Sequence, residues 1–259
     1  MRRKNLHIWD GVYNDWDSAP ADDNVFNNDV WLKKITVTAK KDLDIFQNEN
    51  PSFSNFFSRD SALPVVCSMA IKLNKPLTII DYGGGLGSSY FPVASAIDHP
   101  INYYIVEKEA VCERGKELFK NVKEMYFYSD LSELKNLQDK IDIIHLGSSF
   151  QYINDQQKLL KNIADLQPSY LLMADMLAGD IKSFISIQNF YGKKIRVRFS
   201  NINELLNLVR KFGFSLLYKT SFINSVLGKE EKLPMGNFDK IFRLNYPCQL
   251  LFKYNGKIE

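Results

Sequence analysis

This sequence has few cysteines, no long apolar run and no large excess of charge of one sign. The three cysteines, Cys67, Cys112 and Cys248, are far apart and form no CxxC pair, which argues against a disulfide framework or a zinc ribbon. No stretch approaches the roughly 18 apolar residues of a membrane span, and no apolar signal segment follows the basic residues 2–4. Because 33 basic and 30 acidic residues leave a net charge of only +3, a nucleic-acid partner is not favoured. We therefore expect a cytoplasmic protein without stable membrane insertion.

From Pro76 onward, short apolar segments alternate with segments of helical periodicity. Apolar runs of this length predict buried strands, and strands that alternate with helices pair in parallel with right-handed crossovers. The predicted strands are 77–81, 102–107, 124–128, 141–146, 170–174, 214–222 and 247–254, and the predicted helices are 90–96, 108–119, 153–166 and 203–212. Since the last two strands follow the last helix, they predict an antiparallel pair. The fold class is therefore α/β, a Rossmann-like doubly wound seven-stranded sheet with an antiparallel C-terminal edge hairpin.

The first 60 residues lack this alternation. They are rich in Asp, Asn and aromatic residues, and the only helical patterns near them are 28–39 and 61–73. We interpret residues 1–60 as an N-terminal lid or arm with helical and irregular parts, and residues 61–259 as the main domain.

A loop with four glycines follows the first predicted strand of the main domain. Residues 81–87 read Asp-Tyr-Gly-Gly-Gly-Leu-Gly, and glycine allows a backbone to approach a ligand closely. A dinucleotide fingerprint needs a third glycine where this chain has Ser88, and no Gly-Lys-Ser/Thr of a phosphate loop follows. The alternative is that these glycines form only a tight turn between a strand and a helix.

The acid-x-G-x-G-x-G spacing of this loop resembles motif I of class I S-adenosylmethionine-dependent methyltransferases. The resemblance implies S-adenosyl-L-methionine as the cofactor, with Asp81 helping to hold the methionine amine. Glu107 ends the second strand, where a carboxylate can accept two hydrogen bonds from the ribose hydroxyls. The other cofactor-binding residues that the resemblance implies are Gly83, Gly85, Gly87, Asp130, Leu131, Gly147 and Ser148.

Two further stretches resemble a narrower group of methyltransferases, which are encoded among genes for bacterial capsule, lipopolysaccharide and other surface glycans. Residues 9–16 match the W/F-x-G-x-Y-x-x-W opening of that group. Residues 145–153, His-Leu-Gly-Ser-Ser-Phe-Gln-Tyr-Ile, are similar to its segment His-x-Ser-Ser-x-x-Gln-Tyr-Ile, with Gly147 in place of the first serine. The resemblance covers most of the chain and implies an O-methyltransferase that acts on a surface-polysaccharide component. The acceptor would be a sugar hydroxyl or an oxygen of a phosphate or phosphoramidate substituent, carried by a small molecule or a glycan.

An alcohol acceptor must lose its proton as the methyl group is transferred. His145, at the carboxyl end of the fourth strand, is the predicted catalytic base, although a packed core histidine is the alternative interpretation. Tyr13, Gln151, Tyr152 and Arg198 are the predicted substrate-binding residues. No metal site is predicted, because Met176 follows Asp175 where metal-dependent catechol enzymes carry an Asp-Asn pair.

Two other functions remain open from the sequence. One is an NAD-dependent sugar oxidoreductase or epimerase, which Ser88 disfavours. The other is a non-catalytic binding module that keeps the Rossmann-like fold. A methyltransferase of nucleic acid bases is disfavoured, because Gly-Ser-Ser-Phe at 147–150 replaces the Asp/Asn-Pro-Pro-Tyr/Phe motif of such enzymes.

Overall fold

The computed structural model describes residues 7–22, 25, 29–48, 62–221, 224–226 and 229–256. The helices are α1 (Asp29–Asn48), α2 (Ala62–Ala70), α3 (Tyr90–Ala96), α4 (Glu109–Leu118), α5 (Gln156–Asp165) and α6 (Ile202–Arg210). The strands are β1 (Trp9–Tyr13), β2 (Leu77–Tyr82), β3 (Ile101–Val106), β4 (Met125–Tyr128), β5 (Ile143–Gly147), β6 (Tyr170–Met176), β7 (Ala178–Gly179), β8 (Phe184–Phe190), β9 (Lys193–Asn201), β10 (Phe214–Ser221), β11 (Asn224–Val226), β12 (Lys229–Glu231) and β13 (Cys248–Tyr254). The predicted boundary between residues 60 and 61 lies outside the described residues.

Seven strands form the main sheet, in the order β10-β13-β6-β5-β2-β3-β4. The five strands from β6 to β4 are parallel, whereas β13 is antiparallel to both β6 and β10. The predicted Rossmann-like sheet with an antiparallel C-terminal hairpin is thus confirmed. The strand order reverses at β2 and β5, and open α/β sheets bind their ligands at the carboxyl ends of the strands beside such a point.

Helices cover both faces of the main sheet. On one face α1, α2, α3 and α4 pack on an apolar cluster with Phe91 at its centre, and on the other α5 and α6 pack on a cluster that contains Phe150. The central strand β2 is buried along its first five residues, as a strand with helices on both sides must be. None of the described helices is long and apolar enough to cross a membrane.

A second, four-stranded sheet has the order β1-β8-β9-β7. Its core is a hairpin of β8 and β9, whose turn is formed by Tyr191 and Gly192, both with positive φ. The N-terminal strand β1 pairs with β8 in antiparallel fashion. The sequence analysis did not predict this sheet. The sheet lies beside the segment that follows β5, since the hydroxyl of Tyr152 donates to Gln188 of β8.

Candidate cofactor and acceptor site

A cavity of about 460 Å³ opens at the carboxyl ends of β2, β3 and β5. It lies where the reversal of strand order predicts a ligand. Its lining residues are Trp31, Tyr82, Gly83, Val106, Glu107, Lys108, Ser129, Asp130, Leu131, Gly147, Ser148, Ser149, Tyr152, Ile153, Leu159, Asn162 and Phe190. The structure therefore brings together most of the residues predicted to bind the cofactor, and it adds Tyr152 from the predicted acceptor set.

The glycine loop, residues 83–87, meets the cavity at Gly83, whereas the predicted cofactor residues Gly85 and Gly87 are not among the residues that line it. Gly83, Gly85 and Gly87 have φ of 71°, 58° and 74°, a region that side chains rarely adopt. A Cβ atom at Gly83 would lie 2.6 Å from Ser149 Cβ, and one at Gly87 would lie 2.5 Å from Met125 Cε. The loop thus needs glycine both for its backbone conformation and for its close packing against neighbouring strands.

Glu107 lies in the cavity wall immediately after β3. Its Oε2 accepts a hydrogen bond from the backbone N–H of Lys108 at 2.6 Å. Burial raises the pKa of the Glu107 carboxyl above its ordinary value, and the hydrogen bond from Lys108 offsets only part of this effect. A half-buried carboxylate with acceptor capacity to spare is suited to the paired hydroxyls of a ribose.

Asp130 and Leu131 line the cavity after β4. The Asp130 carboxylate caps a short 3-10 helix (Leu131–Asn136) by accepting a hydrogen bond from the Ser132 backbone at 2.7 Å. Hydrogen bonds from Ser132 hold the pKa of Asp130 below its ordinary value. The side chain is therefore fixed as a cap, and Leu131 adds an apolar surface beside it.

Asp81 and His145 lie beneath the cavity and do not line it. They are 0% and 1% exposed, respectively, and His145 Nδ1 lies 2.8 Å from Asp81 Oδ1. The hydroxyl of Tyr103 donates to Asp81 Oδ2 at 2.8 Å. Their predicted roles in binding the methionine amine and in removing the acceptor proton stay predictions.

The β5 loop, residues 147–149, lines the cavity next to Gly83. Ser148 has φ of 52°, and so does Asp175 at the end of the neighbouring strand β6. The Ser148 hydroxyl donates a hydrogen bond to the Asp175 carboxylate. Non-glycine residues in this conformation cost about 1–3 kcal/mol each and cluster at functional sites. Ser148 lines the cavity, and Asp175 is bonded to it, so two residues of this kind lie together at this end of the cavity.

Tyr152 closes the cavity next to the β5 loop. Its hydroxyl donates to Gln188 Oε1 of β8 at 2.8 Å, and burial together with the nearby Asp175 charge raises the pKa of that hydroxyl. The predicted acceptor residue Gln151 is 3% exposed, and its amide donates to the Asp175 backbone carbonyl at 3.3 Å. Gln151 thus supports the Asp175 region and does not line the cavity.

The other predicted acceptor residues, Tyr13 and Arg198, lie away from the cavity lining. Tyr13 and Arg198 both pair with Ile185 of β8. Gln188, which accepts the hydrogen bond from Tyr152, lies on the opposite face of the second sheet. The Arg198 guanidinium lies 5.6 Å from the Trp16 ring and donates to the Asn154 carbonyl at 3.3 Å. Burial lowers the pKa of Arg198.

Two aromatic residues that the sequence analysis missed, Trp31 of α1 and Phe190 of β8, also line the cavity. Helix α1 crosses the glycine loop. A Cβ atom at Gly85 would lie 4.0 Å from Ile35 Cδ1, and Asp42 accepts a hydrogen bond from Ser88. The Lys34 ammonium lies 4.8 Å above the Tyr191 ring, which links α1 to the turn of the hairpin. The alternation of apolar and polar residues around Tyr191-Gly192 was the available signal for the hairpin.

Residues 60–219 match the family described as a methyltransferase domain. This match spans more than half of the chain, and the protein belongs to that family. No curated protein has a matching sequence.

Solved structures agree on the fold. A S-adenosylmethionine-dependent methyltransferase from Clostridium acetobutylicum is 13% identical, with a TM-score of 0.53 over 88% of this chain and 100% of that chain. The 1,6-didemethyltoxoflavin-N1-methyltransferase of Burkholderia thailandensis, solved with its acceptor and S-adenosylhomocysteine, is 13% identical, with a TM-score of 0.50 over 92% of each chain. The chain is an S-adenosylmethionine-dependent methyltransferase of the class I, Rossmann-like superfamily.

The residues around the cavity suit this cofactor. The glycine loop exposes backbone without side chains, Glu107 offers a half-buried carboxylate, and the volume of about 460 Å³ is that of a drug-sized ligand site. Among the described residues, no group of three or more His, Cys, Asp or Glu could hold a metal ion.

Proposed function

We propose that this protein is an O-methyltransferase that acts in the cytoplasm on a component of a bacterial surface polysaccharide. The acceptor atom is a sugar hydroxyl or an oxygen of a phosphate or phosphoramidate substituent. The proposal is supported by the two sequence segments, 9–16 and 145–153, that resemble methyltransferases encoded with surface-glycan genes. It is also supported by the aromatic side chains of Trp31, Tyr152 and Phe190 at the cavity, because aromatic faces suit the apolar faces of sugar rings.

We assign the cofactor to the cavity between the glycine loop and the β5 loop. Gly83 and Gly85 offer backbone to the methionine part, Glu107 accepts from the ribose hydroxyls, and Leu131 flanks the adenine with Asp130. The bound cofactor supplies an electrophilic methyl group. Residues 1–60 act as the lid or arm of this site through α1, whose Trp31 lines the cavity.

The observation that carries the proposed chemistry is the hydrogen bond from Ser148, which lines the cavity, to Asp175. With the cofactor bound, the acceptor oxygen would take its methyl group, and the electron pair of the carbon–sulfur bond would leave with S-adenosylhomocysteine. The hydroxyl proton of the acceptor passes to Ser148 Oγ, while the Ser148 proton passes to the Asp175 carboxylate. A general base placed in this way accelerates transfer by about 10²–10⁴-fold.

His145 is the competing candidate for the base, because it was predicted from its position on β5. With about 1% of its surface exposed, His145 reaches an acceptor only if the β5 loop moves. The two candidates differ in a measurable way. If Asp175 is the base, Asp175→Asn lowers kcat about 100-fold or more while His145→Gln keeps most of the activity, and the reverse result identifies His145.

The proposed function is tested by measuring the release of S-adenosylhomocysteine in an enzymatic assay. Purified protein with S-adenosylmethionine is offered nucleotide-activated sugars, sugar phosphates and free monosaccharides, and methylated products are identified by mass spectrometry and NMR. Glu107→Ala is the matched control, since it removes the carboxylate assigned to the cofactor ribose and leaves the acceptor end of the cavity intact. Product that carries the methyl group on nitrogen or carbon contradicts O-methylation. Cofactor binding without turnover on any of these glycan components favours the alternative of a non-catalytic binding module.

A further inference from the structure

Beneath the cavity, Asp81 and His145 form a buried polar pair. They are register partners on the adjacent parallel strands β2 and β5, and their side chains meet at 2.8 Å. The second carboxylate oxygen of Asp81 accepts the hydroxyl hydrogen bond of Tyr103, which lies on β3. Both oxygens of this carboxylate therefore have protein partners, and none of its surface faces solvent.

The pair lies directly against the glycine loop and the β5 loop, which meet at the cavity. A Cβ atom added to Gly84 would collide with the Asp81 carboxylate, and one added to Gly147 would lie 2.7 Å from His145 Cε1. Because real Cβ atoms do not approach so closely, each loop is glycine where it passes over the pair. The carboxylate supports the glycine loop, and the imidazole supports the β5 loop.

The same two loops are also joined on their outer side. The Ser149 hydroxyl donates to the backbone carbonyl of Tyr82 at 2.8 Å, and Gly83 has room for no side chain next to Ser149. The bond between Asp81 and His145 is thus a second polar link between these segments, placed on their buried side.

We propose that Asp81 and His145 are positioning residues that fix the glycine loop against the β5 loop, so that the cofactor meets a preformed site. Asp81 acts on the cofactor through the loop backbone and does not contact the methionine amine. His145 acts as its partner. The inference rests on the cofactor site proposed above. Removing one member of a buried polar pair leaves the other unsatisfied, so the register of both loops is lost with it.

Two ligands distinguish positioning from direct contact. S-adenosylhomocysteine carries the methionine amine, whereas 5′-methylthioadenosine keeps the thioether and the adenosine but lacks that amine. If Asp81 positions the loops, calorimetry shows that Asp81→Leu, which cannot accept the hydrogen bond from His145, weakens both ligands by about tenfold or more. If Asp81 holds the amine, only S-adenosylhomocysteine is weakened, which overturns the proposal. A wild-type protein that binds neither ligand contradicts the cofactor site itself, and this outcome is distinct from both.

Substitutions at His145 test the pair from its other side. His145→Leu fills the space without a hydrogen bond and is expected to weaken both ligands about tenfold, whereas His145→Gln can donate its amide to Asp81 and stays within about threefold of wild type. Equal losses with Gln and Leu, or wild-type affinity in a folded His145→Leu protein, overturn the proposal.

Tyr103→Phe is the matched control, because it removes the other hydrogen bond to Asp81 but touches neither loop. It is expected to lower the melting temperature and to leave both dissociation constants within about threefold of wild type. If Tyr103→Phe weakens the ligands as much as His145→Leu does, burial of Asp81 alone explains the effect and the link between loops is contradicted.

Discussion

At the scale of single residues, the site is marked by groups held in costly states. Ser148 and Asp175 share the left-handed backbone conformation, and Glu107 keeps a carboxylate in a half-buried place where burial raises its pKa. Such costs persist when the surroundings enforce them, and they are typical of functional sites. The residues whose conformation or burial costs free energy are therefore those to which we assign binding and chemistry.

Glu107→Gln is expected to gain stability and lose affinity together. Because burial raises the pKa of the folded Glu107 carboxyl above its ordinary value, the folded state binds the proton more tightly than the unfolded state does. The free energy of unfolding therefore falls as the pH rises through the interval between these two pKa values, and the full penalty is present at neutral pH. Glutamine removes this penalty, so we expect a higher melting temperature at neutral pH.

The same substitution is expected to weaken S-adenosylhomocysteine about tenfold (~1.4 kcal/mol), since the charge-assisted hydrogen bonds to the ribose are lost. Calorimetry and thermal unfolding between about pH 5 and about pH 8 measure both effects. The stability difference between the two proteins should shrink toward the acid end. Unchanged affinity in Glu107→Gln would mean that Glu107 does not hold the ribose.

At the scale of elements, the main sheet could be predicted because its signals are local. The run Leu77–Tyr82 is short and apolar, glycines end it, and a segment of helical periodicity follows. Each element can therefore be recognised from about ten consecutive residues. The glycine loop and Glu107 share this property, since motif spacing and a strand end suffice to find them. The predicted seven-stranded sheet and its antiparallel hairpin agree with the structure for that reason.

The second sheet could not be found in the same way, because it pairs segments that are far apart in sequence. Strand β1 pairs with β8 at a separation of about 180 residues, as in Trp9 opposite Gln188. A short strand gains its stability from partners and not from its own sequence. Trp31 and Phe190 were missed as cavity residues because only the tertiary fold brings α1 and the hairpin over the glycine loop.

Tryptophan fluorescence provides a test of α1 as part of the site. The chain has three tryptophans, and among them only Trp31 lines the cavity, whereas Trp9 packs in the core of the second sheet. Titration with S-adenosylhomocysteine is expected to change the emission of wild type and of Trp9→Phe, but not that of Trp31→Phe. A full signal in Trp31→Phe would show that α1 does not contact the bound ligand.

At the scale of the whole molecule, the cavity lies between different parts of the fold. The main sheet supplies the glycine loop, Glu107 and the β5 loop, while α1 and the second sheet supply Trp31 and Phe190. A ligand in this cavity therefore contacts the main sheet, the N-terminal helix and the hairpin at the same time. Binding should stabilise all of these parts against unfolding, because the ligand binds only when they are assembled.

This coupling leads to a quantitative expectation for thermal unfolding. At a free S-adenosylhomocysteine concentration of 100 times Kd, linkage adds about 2.7 kcal/mol to the free energy of unfolding, which raises the melting temperature of a chain of this length by roughly 5–10 °C. Glu107→Gln at the same concentration, with a tenfold weaker Kd, should gain about half of that increase.

NADH at equal concentration should produce no increase in melting temperature, since the glycine loop has Ser88 where a dinucleotide site needs glycine. A shift with NADH and none with S-adenosylhomocysteine would contradict the assignment of the cavity. An equal shift for wild type and Glu107→Gln would place the ribose elsewhere.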